Sequence, residues 1–328
     1  MKEKKIIFIS GSGRSRTTIL KKIFSRHPNI GVGPEWRFLI DPGGIIDFYN
    51  SYTSGWSPFH FDVSLRRLFK TLNNTGKNKF LSNLFRKTLN SIRVNKKLPY
   101  KFYGSYAEFY ALEACPDYFK LVNRLKSDLV AFKFKCLWTG QSLLQETALN
   151  YQSPNQIKKI EDVLGSFLMN IYASVLKKSN AYIYMDDNTW SFLWLDKIIK
   201  LIPEVRLIHI YRDPRDVVSS YSKQNWAPND PKQAAILYYD LMTQWQQIKT
   251  KIPETYFREI SLENLINNPG KVLGGICDFF DIPWHNSLLE TDLSQGHCGR
   301  WKKDLSKEVA NDISSILYPY LDKFGYLE

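Results

Sequence analysis

The stretch Ile6–Phe24 reads IIFISGSGRSRTTILKKIF and decides the fold class of this chain of 328 residues. Its first part, Ile6–Ser10, is an apolar run typical of a buried strand, and a helical pattern begins at Ile19. A loop of glycine, hydroxyl and arginine residues lies between them. Such a loop binds phosphate, because backbone N–H groups and the helix dipole favour an anion there. Its candidate ligands are Ser12, Gly13, Arg14, Ser15, Arg16, Thr17 and Thr18.

The loop differs from that of the nucleotide-hydrolysing proteins at one decisive point. Their loop ends in Gly-Lys-Ser/Thr, whose lysine binds the terminal phosphates and whose hydroxyl binds magnesium. Here the corresponding stretch is Ser15-Arg16-Thr17. A metal-bound nucleoside triphosphate is therefore not the expected ligand. No metal site is expected elsewhere either, since the four cysteines (Cys115, Cys136, Cys277 and Cys298) lack metal-ligand spacing.

Strand and helix patterns alternate along most of the chain. Buried parallel strands are predicted at Ile6–Ser10, Leu129–Phe134, Ala181–Met185 and Val205–Tyr211, with a weaker one at Thr255–Ile260. The clearest helical patterns are Asn155–Lys178, Pro231–Lys251 and Pro269–Phe280. This alternation predicts an α/β fold with a doubly wound, mainly parallel five-stranded sheet. Ligands bind at the carboxyl ends of the strands in such sheets, which is where the phosphate loop lies.

We expect one domain over residues 1–328, with an insertion at about 43–128. The insertion mixes basic residues, asparagine, serine and aromatics, and it includes the basic helical patch Leu65–Lys101. It is interpreted as a helical and aromatic lid or acceptor wall. A solvated helical decoration fits the same pattern equally well.

Charge and hydropathy limit the function classes. The net charge of +13 indicates an anionic ligand or surface. No nucleic-acid-binding motif is present, so nucleic acid is not an expected partner. Neither a signal-peptide segment nor a run of about 18 apolar residues occurs. The expectation is a cytoplasmic protein without a transmembrane segment, and the sequence leaves a homodimer open.

A second anion site is predicted where the strand Val205–Tyr211 ends. The chain continues as Arg212-Asp213-Pro214-Arg215, and Pro214 fits the first turn of a following helix. Arg212 offers a forked set of charged donors, and Ser219 or Ser220 in the helix adds a neutral donor. These groups can converge on one phosphate. The alternative is an Arg–Asp surface pair at a turn.

Together, these segments resemble the sulfotransferases that use 3′-phosphoadenosine 5′-phosphosulfate (PAPS). In that family, a strand–loop–helix with an Arg-Ser-Gly-Thr-Thr type sequence holds the 5′-phosphosulfate. A later strand followed by Arg-Asp-Pro-Arg and a serine holds the 3′-phosphate. The matching positions are Arg14–Thr18, Arg212–Arg215 and Ser220. The resemblance covers roughly residues 4–40 and 180–302, and implies PAPS as donor and adenosine 3′,5′-bisphosphate (PAP) as product, with no metal required.

Two further segments carry the resemblance. Gly296–Lys302 is similar to a late family loop that closes over the 3′-phosphate, which implies Arg300, Trp301 and Lys302 as donor ligands. His27-Pro28-Asn29 followed by Glu35-Trp36-Arg37 resembles the tyrosylprotein and carbohydrate branch of the family.

That branch implies Glu35 as general base and Arg37 as an active-site cation, with Arg14 also beside the reacting group. Such a base fits the chemistry, since a positioned carboxylate contributes about 10²–10⁴-fold to a rate. A structural Glu35 that caps a helix or pairs with Arg37 is the alternative. His60, in the aromatic stretch Trp56–Phe61, is the rival base, because the cytosolic branch uses histidine.

The chain departs from the family pattern at three places. One is Leu262-Glu263-Asn264-Leu265, where relatives tend to have Tyr-Glu-Asp-Leu, so the adenine contact is unassigned. Arg16 stands where the family has glycine, so its φ is expected to be negative. Asn188 falls where relatives carry a lysine that stabilises the transition state. Either Asn188 acts as a neutral donor, with Lys133 or Lys135 on the neighbouring strand supplying the charge, or the enzyme is slow or inactive.

The sequence therefore predicts an enzyme, a PAPS-dependent sulfotransferase acting on a hydroxyl of a small metabolite or carbohydrate. A peptidyl-tyrosine sulfotransferase is the alternative within the family, and a P-loop kinase or a non-catalytic basic binding protein are alternatives outside it. Five aromatic residues are candidates for an acceptor cleft or for the core: Trp56, Phe59, Phe61, Trp138 and Trp190.

Overall fold

The computed structural model describes residues 4–76, 111–136, 148–293 and 298–327, and they form two compact units. The first unit comprises Met1–Glu35, Ser179–Ile199 and Pro203–Glu328, and the second comprises Trp36–Lys178 and Lys200–Ile202. The expectation of a single domain stays a prediction. None of the helices in these described stretches is both long enough and apolar enough to cross a membrane.

The strands and helices alternate as expected for an α/β fold. The strands are β1 (Lys5–Ser10), β2 (Ile30–Val32), β3 (Phe132–Lys135), β4 (Ala148–Tyr151), β5 (Ile183–Asp186), β6 (Val205–Tyr211) and β7 (Phe257–Ser261). The helices are α1 (Thr17–Phe24), α2 (Ile45–Ser54), α3 (Pro58–Gly76), α4 (Ala111–Ala114), α5 (Tyr118–Leu129), α6 (Ile157–Ser179), α7 (Leu195–Leu201), α8 (Pro214–Tyr221), α9 (Pro231–Lys249), α10 (Leu262–Asn267), α11 (Pro269–Phe279), α12 (Trp301–Asp304) and α13 (Lys307–Lys323). The three clearest predicted helices correspond to α6, α9 and α11, with ends within two residues of those expected.

A five-stranded parallel sheet forms the centre of the first unit, in the order β2-β5-β1-β6-β7. Its central strand β1 pairs with β5 and β6, so that Phe8 lies beside Asp186 on one side and Leu207 on the other. The side chains of Ile6–Ile9 are at most 1% exposed, which explains their unbroken apolar run. The predicted doubly wound parallel sheet is confirmed.

One predicted strand of that sheet is wrong. The segment Leu129–Phe134 does not join the sheet: Leu129 ends α5, and β3 pairs antiparallel with β4 in a separate two-stranded sheet. Phe132 is 54% exposed there, so the run is not a buried strand. The fifth strand of the parallel sheet is β2 instead, whose three residues are too few to produce a strand pattern.

The second unit contains α2–α6 with β3 and β4. Its core is aromatic: Trp36 stacks on Tyr118 at 6.2 Å, and Phe38 packs against Phe167. The fully buried Asp62 on α3 accepts hydrogen bonds from Arg66 and from the backbone and side chain of Asn150 on β4.

The predicted insertion lies within this second unit. Residues 77–110, and with them most of the basic patch Leu65–Lys101, lie outside the described residues, as does Trp138. Phe61 is a core residue at 1% exposure, whereas Trp56 and Phe59 are partly buried. A role as lid or acceptor wall stays a prediction.

Candidate active site

The phosphate loop connects β1 to α1 and folds closely on itself. A Cβ on Gly11 would lie 2.1 Å from Ser15 Oγ and 2.7 Å from the carbonyl oxygen of Ile210 on β6. Both distances are shorter than any tolerable contact, so only glycine fits. Ser12, Ser15 and Thr17 are buried in the loop, whereas Arg14 and Thr18 are exposed and Arg16 is partly buried.

We predict that Gly11→Ala destabilises the protein by about 1–3 kcal/mol, because the added methyl group must displace the Ile210 backbone or the Ser15 side chain. Urea unfolding measures the change. Gly274→Ala on α11 is the control, since a Cβ there meets nothing within 4 Å. The control variant should be more stable than the unchanged protein by up to about 1 kcal/mol, because alanine favours a helix more than glycine does. Equal stability of the two variants would show that the loop is not tightly packed.

The loop backbone is left-handed at three positions, with φ of 86° at Gly13, 59° at Arg14 and 71° at Arg16. The expectation of a negative φ at Arg16 is wrong. Arg16 is the residue before α1 and provides no side-chain cap to that helix. Left-handed turns of this kind form concave nests of backbone N–H groups that bind anions. The chain therefore accepts an unfavourable conformation for two arginines in order to close the loop.

Two aromatic residues hold the loop in place. The carbonyl oxygen of Ser12 accepts hydrogen bonds from Trp190 Nε1, at 2.8 Å, and from the hydroxyl of Tyr221 on α8. The backbone N–H of Trp190 also donates to Gly11. Because these residues follow β5 and β6, the loop is fixed to the carboxyl ends of both neighbouring strands.

The second predicted anion site adjoins the loop. Arg14 Nε donates to Ser220 Oγ at 2.9 Å, which joins the two segments across 206 residues of sequence. Of the two candidate serines, Ser220 is therefore the one in contact with the loop. The hydroxyl of Ser219 donates to Asp304 instead.

Arg212 lies at the end of β6 and is only 5% exposed. Its Nη2 donates to the Asp216 carbonyl oxygen at 2.6 Å, and its Nε has no hydrogen-bond partner among the described residues. Burial lowers the pKa of Arg212; the negative charge of Asp216 opposes this shift, and the positive charge of Arg16 adds to it. Two neighbouring cations with a buried unsatisfied donor favour an anion. The hydroxyl of Ser15 in the loop is likewise buried without a partner in the described part of the chain.

The Arg–Asp pair considered as an alternative exists, but it is formed by Arg215 and Asp213 and is buried. The ring of Trp301 lies 4.0 Å from the Arg215 guanidinium, and its Nε1 donates to Asp213. The backbone N–H of Trp301 donates to Asp216. These contacts therefore tie the segment after residue 298 to α8, and the buried ion pair does not include Arg212.

The other predicted residues of the late loop are closer to solvent. Arg300 is largely exposed and pairs with Asp304 at 3.0 Å, and Lys302 lies 5.6 Å from the Trp301 ring. Gly296 and His297 lie outside the described residues. Roles for Arg300, Trp301 and Lys302 in donor binding stay predictions.

Glu35 is the last residue of the first of the three chain segments that make up the first unit, and its side chain contacts the segment that follows β5. Its Oε1 accepts a hydrogen bond from the Thr189 backbone N–H at 3.3 Å. The neighbouring Asn188 is fully buried. Arg37 belongs to the second unit, where it makes two 3.1 Å hydrogen bonds to Asp41.

Lys133 and Lys135 were expected on a strand next to β5, and that placement is wrong. Both lie on β3, which belongs to the two-stranded sheet of the second unit, and both are exposed. A catalytic role for Lys133 stays a prediction, although it was argued from a strand position that Lys133 does not occupy.

Lys21 was not identified from the sequence as a residue near this site. Its Nζ lies 2.6 Å from Asp187 Oδ1. Asp187 also accepts from Thr18, so it fastens the first turns of α1 beside Asn188.

Asp186 is a buried carboxyl group at the end of β5. Its Oδ2 accepts from the Tyr184 hydroxyl at 2.9 Å. Burial raises the pKa of Asp186 to about 7; Lys21 opposes the shift, and the negative charges of Asp187 and Glu35 add to it. The native protein therefore holds a proton here that the unfolded chain releases above pH of about 4.

We predict that this proton makes the free energy of unfolding fall as the pH rises from about 4 to about 7, because the native state then binds more protons than the unfolded state. Asp186→Asn keeps an acceptor for Tyr184 and removes the titration. This variant should lack the decline and exceed the unchanged protein in stability at pH above about 7. Urea unfolding across this range measures both, and parallel curves would contradict the assignment.

The histidines have structural partners. His27 Nδ1 accepts from the Asn29 N–H and its Nε2 donates to the Pro283 carbonyl oxygen, which fixes a neutral ring. Burial lowers the pKa of His27. His60, the rival base, lies at the start of α3 with its Nδ1 2.9 Å from the Gly55 carbonyl oxygen. Among the residues that the structure describes, no three His, Cys, Asp or Glu side chains are grouped as metal ligands would be.

One family model matches most of this chain. The model described as "Sulfotransferase family" matches residues 7–286. No curated protein sequence matches the chain. A solved sulfotransferase domain from the curacin biosynthetic pathway is 17% identical, with a TM-score of 0.48 over 97% of this chain and 99% of that one. The sulfotransferase STF9 from Mycobacterium avium is 13% identical, with a TM-score of 0.47 over 98% of this chain and 77% of that one. The sulfotransferase domain of the Synechococcus PCC 7002 olefin synthase is also 13% identical, with a TM-score of 0.45 over 98% and 96%.

Proposed function

This chain belongs to the sulfotransferase family, and on that premise we propose that it transfers a sulfuryl group from PAPS to a hydroxyl of a small metabolite or carbohydrate. The observation that carries the proposal is the 2.9 Å hydrogen bond from Arg14 Nε to Ser220 Oγ. It brings together the two segments whose sequences resemble the 5′-phosphosulfate and 3′-phosphate sites of PAPS-dependent enzymes.

The residues around this bond fit a donor with two anionic ends. The backbone nest of the loop, with the buried Ser15 hydroxyl, suits the 5′-phosphosulfate. Arg212, with its unsatisfied buried Nε, suits the 3′-phosphate, and Arg16 lies within electrostatic range of it. Because the like charges of Arg16 and Arg212 disfavour each other, an anion between them is stabilised by both.

The donor supplies an activated sulfuryl group: the acceptor oxygen bonds to sulfur while the bond from sulfur to the 5′-phosphate oxygen breaks and PAP leaves. In our proposal Glu35 takes the proton of the acceptor hydroxyl. Its Oε1 is oriented by the Thr189 N–H, directly after the buried Asn188. Asn188 is proposed as a neutral donor, and Arg14 and Arg16 supply the positive charge that stabilises the leaving phosphate.

The proposal is tested by transfer of label from sulfur-labelled PAPS to a panel of acceptors: a methyl glycoside, a phenol and a tyrosine peptide. We expect label in the glycoside or the phenol. Label confined to the peptide would instead identify a peptidyl-tyrosine enzyme, the reading that rests on His27 and Glu35. Transfer of phosphate from ATP with magnesium would identify a kinase.

A further inference from the structure

A tryptophan that is open to solvent lies against the phosphate loop. Trp226, in the segment between α8 and α9, is 47% exposed. Its ring carbons Cη2 and Cζ2 lie 3.0 and 3.6 Å from the position that a Cβ would occupy on Gly13. Part of the indole ring therefore covers the loop, and part of it remains free for a ligand.

The position of this ring is fixed. Trp226 packs edge-to-face against Trp190, with ring centroids 5.5 Å apart, and against Tyr221 at 5.1 Å. Trp190 and Tyr221 both donate to the Ser12 carbonyl oxygen. Each aromatic pair contributes about 0.5–1.5 kcal/mol beyond burial. The exposed ring is thus held by the same loop that is proposed to bind the 5′-phosphosulfate.

The residue that contacts the proposed base lies near the same glycine as Trp226. The Cβ position of Gly13 is 3.6 Å from Thr189 Cγ2, and the Thr189 N–H donates to Glu35. An acceptor hydroxyl must be within reach of both Glu35 and a sulfuryl group on the loop. Trp226 and Thr189 approach the same Cβ position on Gly13, which places the exposed indole ring near the residue that contacts Glu35.

We propose that Trp226 determines acceptor specificity by stacking against a ring that bears or adjoins the reacting hydroxyl. The inference rests on the proposed function and names its substrate class as cyclic rather than open-chain alcohols. A flat apolar face is what an aryl ring and a sugar ring share, and an indole binds either one. Trp190, with its Nε1 committed to the loop, supports Trp226 from the side.

The test compares Trp226→Ala with the unchanged enzyme on three acceptors: a phenol, a methyl glycoside and an acyclic alcohol with as many carbons as the phenol. The expected result is a fall in kcat/KM of about tenfold for at least one ring acceptor, with little change for the acyclic alcohol. The ring acceptor whose kcat/KM falls more in Trp226→Ala shows whether the natural acceptor carries an aryl ring or a sugar ring. Trp226→Phe should restore most of the activity. Trp284→Ala is the control, since Trp284 is 43% exposed on a different segment.

Three results would overturn the inference. Equal losses for ring and acyclic acceptors, together with weaker PAP binding, would show that Trp226 shields the donor. Unchanged kinetics in Trp226→Ala would show that the ring is a surface feature. The absence of transfer to any acceptor by the unchanged enzyme would overturn the proposed function and this inference with it, whereas the first two results leave the proposed function standing.

Discussion

Glu35→Gln is expected to lower kcat by about 10²–10⁴-fold, the contribution of a positioned general base. Glutamine keeps the length of the side chain and an oxygen that accepts from the Thr189 N–H. It cannot take the proton of the acceptor hydroxyl. The affinity for PAP should stay nearly the same, because Glu35 is not among the proposed donor ligands. Rates at saturating PAPS and calorimetric titration with PAP measure the two effects separately.

Glu290→Gln is the matched control for this substitution. Glu290 is 60% exposed and pairs with Arg26 at the surface of the first unit, so its change should leave kcat unaltered. The base assignment would be overturned if Glu35→Gln lost PAP binding while turnover per bound donor stayed unchanged. That result would instead place Glu35 among the groups that shape the donor site.

Arg212→Met is expected to weaken PAP binding by roughly 10- to 100-fold, since a hydrogen bond to a charged group contributes about 1.5–3 kcal/mol. Methionine fills much of the buried volume and removes the forked donor. The variant should fold, because burial disfavours the charged guanidinium in the free protein and is a larger effect than the opposing attraction of Asp216. Calorimetric titration with PAP measures the loss.

Arg206→Met provides the control on the same strand. Arg206 lies near the start of β6, where it donates to the carbonyl oxygens of Pro203 and Val205 and packs over Tyr256. It is far along the strand from the carboxyl end, so PAP should bind this variant normally. Equal PAP affinity in Arg212→Met and the unchanged protein would remove Arg212 from the donor site.

The features that could be predicted from the sequence are local and contiguous. β6 was predicted with both ends correct, and the phosphate loop was placed between the right strand and helix. Each is set by a short run whose pattern reflects its own burial. The wrongly predicted strand had a local pattern that did not fit a buried strand. Phe132 and Phe134 alternate there with Lys133 and Lys135. Alternation of this kind is typical of a strand with one exposed face, not of one buried on both sides.

The rest depends on contacts between distant parts of the chain. Lys21 meets Asp187 across 166 residues, and Trp226 reaches Gly13 across more than two hundred. Nothing in the sequence around either residue indicates its partner. The positive φ of Arg16 is also a tertiary effect, since the sheet and α1 fix both ends of the loop and the turn between them must close.

The measurement that tests the account most directly is the affinity of the protein for PAP compared with adenosine 5′-monophosphate, with and without magnesium. The joined sites at Arg14, Ser220 and Arg212 predict that PAP binds at least about tenfold more tightly than adenosine 5′-monophosphate. A single hydrogen bond to a charged group is enough to account for that difference in affinity. Magnesium should have no effect on that difference. Equal affinity for the two nucleotides, or tighter binding of ATP with magnesium, would contradict a donor site built for PAPS.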